Sequence, residues 1–522
     1  MGTLWISLLA PLLSAVAIAV APRRWSWWLA LTGTLISFAA SVLVAMDFPE
    51  WGSGEYWPRQ SAPEWIAEFG IRLHVGFDSV SLLLFLLTTF LMPLCIMGSA
   101  SAVTERIKEY YAYFMVLETA MLLAFCARDA ILFYIGYEFT LAPMLLLIAI
   151  WGGPERRPAA IKFFLYTFFG SLFMLIAILY VAWELRASSG AWNFDLDALT
   201  GFASTRLSPT TQYWVFAALI AGFAVKIPLF PVHTWLPLAH DQAPTAGSVI
   251  LAGTLLKLGT YGVYRVAIPM APIGGVELMQ VCAVLCIIAI IYASLICWVQ
   301  HDAKKLIAYS SVAHLGLGML GLFALNPVGG EGAVFAMVNH GLSTGALFLC
   351  IGMIYERYHT KDMDELGGLA SRMPIWATFM VLFTLASLGL PGLNGFVGEF
   401  LCLMGAYISE HDAATGYPGV LGPWYAVVAA LGMIIAAMYM LVLLGRLVWG
   451  PLREPRHAPG DGATTLSTDL NAREILTLAP LAVACLWLGF QPRPMLDAIS
   501  PCVERMLAPY PAQVERLHED QP

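Results

Sequence analysis

The chain has 522 residues, 59% of them hydrophobic and only 12% charged, with a formal net charge of −8. Soluble proteins devote about a quarter of their residues to charge, and at this length they need it to cover several cores. A soluble enzyme, a disordered chain and a collagen-like fibre are therefore excluded, and no basic block offers a nucleic-acid footprint, so no nucleic-acid partner is expected.

What remains is an all-α polytopic membrane protein with the lipid bilayer as one partner. A helix needs about 20 apolar residues to cross a hydrocarbon core roughly 30 Å thick, and on that measure the sequence predicts about fourteen spans. The first, 3–21, lacks a basic leader and is followed by Arg23 and Arg24, the reverse of a cleavable signal peptide. Spans follow at 25–46, 79–98, 111–127, 130–151 and 161–183. The seventh, 212–230, is interrupted by Pro228 and Pro231; the next four occupy 244–267, 277–299, 304–324 and 331–354. The twelfth, 375–403, is interrupted by the Pro391-Gly392 pair, and 423–447 and 473–490 complete the series. Broken helices are tolerated where neighbouring helices or a wet cavity satisfy the freed backbone.

An even number of spans places both termini on one side. Sixteen of the 27 Lys and Arg residues fall in odd-numbered loops and nine in the termini and even-numbered loops, Arg59, Arg456 and Arg516 included in the tally. The positive-inside rule makes the odd loops cytoplasmic and both termini external. The nine cysteines are scattered through apolar runs with no CxxC pair or Cys/His ligand spacing, and read as small core residues.

Two cations are left over, Lys226 and Lys257, and both lie inside spans. With them at membrane depth are Glu118, Glu138, His314, His340 and Glu399. Buried charge is costly and marks ion or proton pathways. One reading pairs each lysine permanently with a glutamate and gives it only a packing role. The spread of seven groups over spans 4 to 12 favours a proton relay, because desolvation favours the neutral form of Lys and Glu alike and histidine titrates near neutrality. His233 and His240 lie beside the cytoplasmic end of span 7, where a structural or a proton-uptake role fits equally.

Lys226 precedes one break by two residues and Glu399 follows the other. Glu399 lies 173 residues after Lys226, and His314 lies 176 after Glu138. Each offset covers five spans, and an odd number inverts the second copy, so two inverted five-helix repeats are expected. The plan is then helices 1–3 in residues 1–110, repeats in 111–270 and 271–450, and a cytoplasmic loop, helix 14 and external tail in 451–522. There is no Walker A sequence, nucleotide-type GxGxxG, haem CxxCH or iron–sulfur cysteine cluster. Such a chain must be driven by an ion gradient or a partner.

The segments AVKIPLFPVHTWLPLAHDQAPTAGSVILAGTLLKLGTYG, KKLIAYSSVAHLG, NHGLSTGALFLCIGMIYER and GLPGLNGFVGEF resemble the antiporter-like proton-channel subunits of respiratory complex I, most of all the M-type branch. The resemblance runs from GFDSVSLLL, about Asp78, to the end of span 13. It implies that Glu138 pairs with Lys226, that Lys257 is the central lysine, that His314 and His340 lie on the hydrophilic axis, and that Glu399 passes the proton to the far side; Glu118 sits in a family-like context, LETAML. Two positions depart from the pattern: Tyr137 stands where the family usually has Trp, and Leu238 where it usually has Asp. The resemblance further implies a non-redox subunit of a proton-translocating NADH-quinone oxidoreductase in a bacterial inner membrane. This chain would bind no cofactor; NADH, quinone, FMN and iron–sulfur clusters would belong to partner subunits, and other membrane-arm subunits would be its neighbours. Subunits of sodium/proton antiporters, of proton-pumping hydrogenase-type complexes and of bicarbonate or CO2-uptake complexes are the alternatives. Related antiporter chains usually carry Lys at the end of the path, so Glu399 favours the complex I type.

Overall fold

Helix starts in this chain are fixed by short polar side chains that accept the orphan N–H groups of the first turn. The computed structural model describes residues 2–58, 63–409, 419–455 and 468–512; Arg59, Arg456 and Arg516 lie outside them. After α1 (Gly2–Val20) and α2 (Ser26–Asp47) comes a two-stranded antiparallel hairpin, β1 (Glu64–Ile66) and β2 (Ile71–Arg72). Asp78 then opens α3 (Ser79–Gly98) with a capping box to Ser81. α4 (Ile107–Cys126) leads to α5 (Ala130–Trp151), capped by Asp129 and interrupted at Thr140. The long α6 (Arg156–Ser189) and the short α7 (Leu196–Arg206) precede α8 (Pro209–Lys226), which has a Ser208 cap and Pro at its first position.

The second half follows the same chemistry. α9 (Leu236–Gln242) is short, α10 runs over Thr245–Met270 and α11 over Pro272–Trp298. Asp302 caps α12 (Ala303–Phe323) and Asn326 caps α13 (Pro327–Tyr358). Span 12 is two helices, α14 (Pro374–Ser387) and α15 (Asn394–Tyr407), and α16 (Pro423–Leu447) follows. An Asn471–Glu474 capping box opens α17 (Ala472–Phe490), and α18 (Arg493–Leu507) follows.

Among the described residues, eleven helices are long and apolar enough to cross a membrane. α4, α8 and the α14–α15 pair fall outside that set for reasons legible in their residues. α4 carries Lys108, Glu109 and Glu118 among its apolar positions, α8 stops at Lys226, and α14 and α15 are 14 residues each. Span 6 runs on into the loops as a helix of 34 residues and span 11 as one of 32, whereas the helix of span 7 stops at Lys226, short of the expected end at 230.

Exposure divides the helices into two layers. Leu165, Phe169, Ile176 and Trp183 on α6, Val281 and Leu295 on α11, and Leu431, Ile434 and Leu441 on α16 are exposed apolar side chains at helical spacing, the faces that lipid would cover. α3, α10, α12 and α13 are buried along almost their whole lengths and form the interior. The nine cysteines are free and buried, as small core residues. Packing at the interior end of α3 is electrostatic: Arg265 on α10 donates to Asp78 at 2.5 Å, and Arg505 on α18 pairs with Glu55 at 3.2 Å. That ties the last helix to the chain segment before the hairpin.

Candidate functional site

The interior helix α10 is not a regular α-helix. It contains two π-helical turns, Leu251–Leu255 and Val263–Ala267, on either side of the segment that carries Lys257. A π turn redirects side chains and carbonyls locally and recurs at functional sites. Lys257 is fully buried; its ammonium donates to the Ala252 carbonyl, five residues back, and lies 2.6 Å from Nδ1 of His340 on α13. At that separation the two nitrogens cannot both be cationic without strong repulsion. One of the two nitrogens donates and the other accepts: the lysine with Nδ1 accepting, or the imidazole with the lysine accepting.

The next pair is built across α12 and α15, where Nδ1 of His314 lies 2.7 Å from Oε1 of Glu399. The two imidazole rings are 6.2 Å apart between centroids, and the Nε2 atom of each is buried without a protein partner. Between the pairs lies a cavity of about 30 Å³ lined by His314, His340, Glu399, Thr260, Asn339 and Ser343. That is enough room for a water, and its polar lining supplies the partners a water requires. Four of the seven membrane-depth residues thus form one line: Lys257, His340, His314 and Glu399.

Glu399 reaches this line because the span breaks. Gly389, in the unwound GLPGLNG segment, has φ +78°, and a Cβ there would lie 2.6 Å from Oε2 of Glu399. Only glycine combines that backbone with the space for the carboxylate. Asn339 of α13 donates to the Asn394 carbonyl at 2.6 Å, which ties the start of α15 to α13.

The other break holds Lys226. It is the last residue of α8, so its cation sits at the negative end of the helix dipole. Trp235 Nε1 donates to the Val225 carbonyl at 2.8 Å across the gap. The Lys226 ammonium faces the interruption in α5, donating to the Tyr137 carbonyl at 2.8 Å and the Thr140 hydroxyl at 3.1 Å, and it lies 3.6 Å from the centre of the Tyr137 ring. Glu138 lies near enough for its charge to act on Lys226, but the two make no direct contact. Both Glu138 carboxylate oxygens are buried without a hydrogen-bond partner, and no ion pair joins them to Lys226. The physical reason is local: Tyr137 and Glu138 are adjacent on a helix, so their side chains diverge, and at the break the Tyr137 carbonyl accepts from the Thr140 hydroxyl at 2.8 Å as well as from the lysine.

Glu118 stands apart. It is fully buried on α4 beside Ser37 of α2, again with both oxygens unpartnered, and it is not part of the line from Lys257 to Glu399. His240 is also fully buried, stacked on Phe348 at 4.6 Å with neither ring nitrogen paired, whereas His233 packs against Phe230 and Tyr292.

Three features escape a reading of the sequence. The Tyr137 carbonyl and the Thr140 hydroxyl act as lysine ligands only because α5 breaks there, and Lys304, expected at a span end, is buried, donating to the Ala243 carbonyl at 2.6 Å. Lys304 lines a cavity of about 170 Å³ with Asp241, Gln242 and Lys361. Asp241 pairs with Lys361 and, at 3.5 Å, with Lys305. It supplies an acid three residues after Leu238, where the family pattern has its own.

The chain is similar to known proteins along nearly its whole length. Residues 127–422 match the family model described as NADH:quinone oxidoreductase/Mrp antiporter, transmembrane, and residues 63–127 match NADH-ubiquinone oxidoreductase chain 4, amino terminus. The chain is 42% identical to NADH-quinone oxidoreductase subunit M of Rhodobacter capsulatus, over 97% of this chain and 96% of that one. Among solved structures it is similar to a chain of respiratory complex I from Thermus thermophilus with bound NADH, with a TM-score of 0.84 and 29% identity over 97% of this chain and 99% of that chain. It shares its fold with a chain of the Mrp complex from Dietzia sp. DQ12-45-1b, with a TM-score of 0.80 and 19% identity over 98% of each chain.

Proposed function

Because the chain belongs to the NADH:quinone oxidoreductase/Mrp antiporter family, as an antiporter-like, proton-translocating subunit of a complex I-type membrane arm, we propose that a proton crosses it along Lys257, His340, His314 and Glu399. The observation that carries this reading is the continuity of the line. Lys257 lies 2.6 Å from His340, and His314 lies 2.7 Å from Glu399. Both imidazoles line a cavity large enough for a water, and each has an unpartnered Nε2. A proton passed from Lys257 to Nδ1 of His340 leaves by Nε2 to the water, reaches Nε2 of His314, and is delivered from Nδ1 to the Glu399 carboxylate. Each imidazole changes tautomer in passing and must reset, which makes the transfer directional only when an outside charge moves.

That outside charge is Lys226. When it swings from the Tyr137 carbonyl to Glu138, a cation shifts within the first half of the molecule and the field at Lys257 changes. Protons reach the path from the Asp241–Lys304 cavity by way of His240, so Asp241 takes the role that Leu238 cannot. Glu118 holds a proton-accepting position beside the N-terminal helices, off the main line.

The full architecture follows the same reading. Fourteen spans, counting α4, α8–α9 and α14–α15, form three N-terminal helices, two inverted five-helix repeats in 111–270 and 271–450, and a final helix with an external tail. Both termini and the Asp78 face are external in a bacterial inner membrane, and the Asp241 face is cytoplasmic. NADH, FMN, iron–sulfur clusters and quinone belong to partner subunits, and quinone reduction there supplies the driving charge; this chain acts as an M-type, non-redox subunit. The shared fold with the Mrp complex chain keeps a second reading in view, a subunit of a sodium/proton antiporter. Purification from the native membrane decides between them. Iron–sulfur and quinone-site subunits in the purified complex support the oxidoreductase, and an assembly containing only other antiporter-type chains overturns it.

A further inference from the structure

Tyr137 is the position where this chain departs from its family's usual Trp, and it is also where Lys226 is held. The ammonium has three favourable contacts there: the Tyr137 carbonyl at 2.8 Å, the Thr140 hydroxyl at 3.1 Å and the Tyr137 ring face at 3.6 Å. All three come from one interruption in α5. The ring is fixed by packing, edge to face against Phe223 at 6.0 Å and tilted against Phe133 at 5.8 Å. Phe223 is one turn before Lys226 on α8, so the helix that carries the lysine also clamps the ring beneath it. The phenol oxygen is buried without a partner and contributes nothing to the cradle. The Glu138 carboxylate, one residue along, is equally buried and unpartnered.

We propose that Tyr137 and Thr140 form a docking station for the Lys226 ammonium that competes with Glu138, and that Tyr137 is a positioning residue whose ring face sets how often the Glu138–Lys226 pair closes. This rests on the relay reading, in which Lys226 is the moving charge. The physical basis is a balance of two buried sites. A desolvated ammonium over an aromatic face gains roughly a factor of three to thirty in occupancy, and the carbonyl and hydroxyl replace the hydration lost on burial. With the ring present, the two positions are close enough in energy for a small external field to move the lysine between them. Without it, the carboxylate wins and the pair stays closed. An indole in the same place has a larger face and a stronger hold on a cation, so the tyrosine makes the lysine easier to release.

The test is the rate at which a hydrophobic carbodiimide labels Glu138 in the assembled complex in native membranes, read by mass analysis of the Glu138 peptide. The reagent attacks a protonated carboxylic acid in apolar surroundings, and a carboxylate closed on Lys226 is protected. Tyr137→Leu is expected to slow labelling about tenfold, Tyr137→Phe to label faster than Tyr137→Leu, Tyr137→Trp to label faster than the unaltered chain, and Thr140→Val to slow labelling by about threefold. A purely structural role for the ring predicts one common rate in every variant that assembles, and that result overturns the docking station. If Tyr137→Leu fails to assemble, Thr140→Val and Tyr137→Trp still decide, because they shift labelling in opposite directions only if the station exists. Lys226→Ala separates this idea from the relay itself: normal pumping in that variant removes the relay, whereas lost pumping with unaltered labelling across the Tyr137 series removes only the docking station.

Discussion

The Lys257 ammonium and Nδ1 of His340 lie 2.6 Å apart in the middle of the protein. In the proposed relay the central lysine is a proton donor rather than a structural cation. That role also predicts which replacements fail. Lys257→Arg keeps the charge but cannot give up a proton, and His340→Gln keeps a polar partner but cannot relay one. Each is expected to reduce proton pumping through this subunit by roughly 100-fold in a complex that still assembles, measured as proton uptake by sealed vesicles against NADH oxidation.

Glu399 is expected to require charge more than reach. Glu399→Gln cannot accept the proton from His314 and should reduce pumping by about as much as loss of His340, whereas Glu399→Asp keeps the carboxylate and should lose far less. Equal losses in the two variants would show that reach is what matters at this position.

Lys226→Ala and Glu138→Gln each remove one end of the switch. Both are expected to leave electron transfer to quinone and assembly largely intact while pumping falls about tenfold or more. Normal pumping in either assembled variant would remove Lys226 as the moving charge.

Gly389 offers a test of the break itself. Alanine there must adopt φ +78° and displace the Glu399 carboxylate, at a combined cost of about 1–3 kcal/mol. Gly389→Ala is expected to lower both the thermal stability of the complex and its pumping, while Gly445→Ala, where a Cβ meets open space, lowers neither.

Stability and transport should separate at Arg357. Its guanidinium makes two hydrogen bonds to Glu474, at 2.9 and 2.7 Å, in a mostly buried fork. Arg357→Ala leaves the Glu474 carboxylate only its capping-box bond from the Asn471 N–H, at a cost of about 1–3 kcal/mol, and adding Glu474→Gln should recover part of it. Thermal unfolding of the assembled complex measures both, and protons pumped per electron in the surviving complex should stay unchanged.

The residues that carry charge were legible in the sequence, and their partners were not. Lys226, Lys257, His314, His340 and Glu399 stand out because an apolar run makes any ionisable group conspicuous. The two breaks were equally plain, since Pro228 and the Pro391-Gly392 pair interrupt otherwise continuous spans. Contacts across helices depend on rotation about each axis, which hydrophobicity alone does not set when a helix is apolar all round; hence Glu138 was expected on Lys226, and the lysine is found on Tyr137. Backbone ligands such as the Ala252 and Tyr137 carbonyls leave no trace in residue identity. α18 was missed although its signal was present. Met495, Ile499, Cys502, Val503 and Met506 are buried at helical spacing, but Pro501 and the charged positions between them read as an external tail.

The most direct test of the proton line is the number of protons moved per NADH oxidised by sealed vesicles containing the complex with Lys257→Met. Methionine matches the lysine stem in length and removes only the proton-carrying end. Retained electron transfer and a count reduced by this subunit's whole share are expected. An unchanged count in fully assembled complex would contradict the proton line.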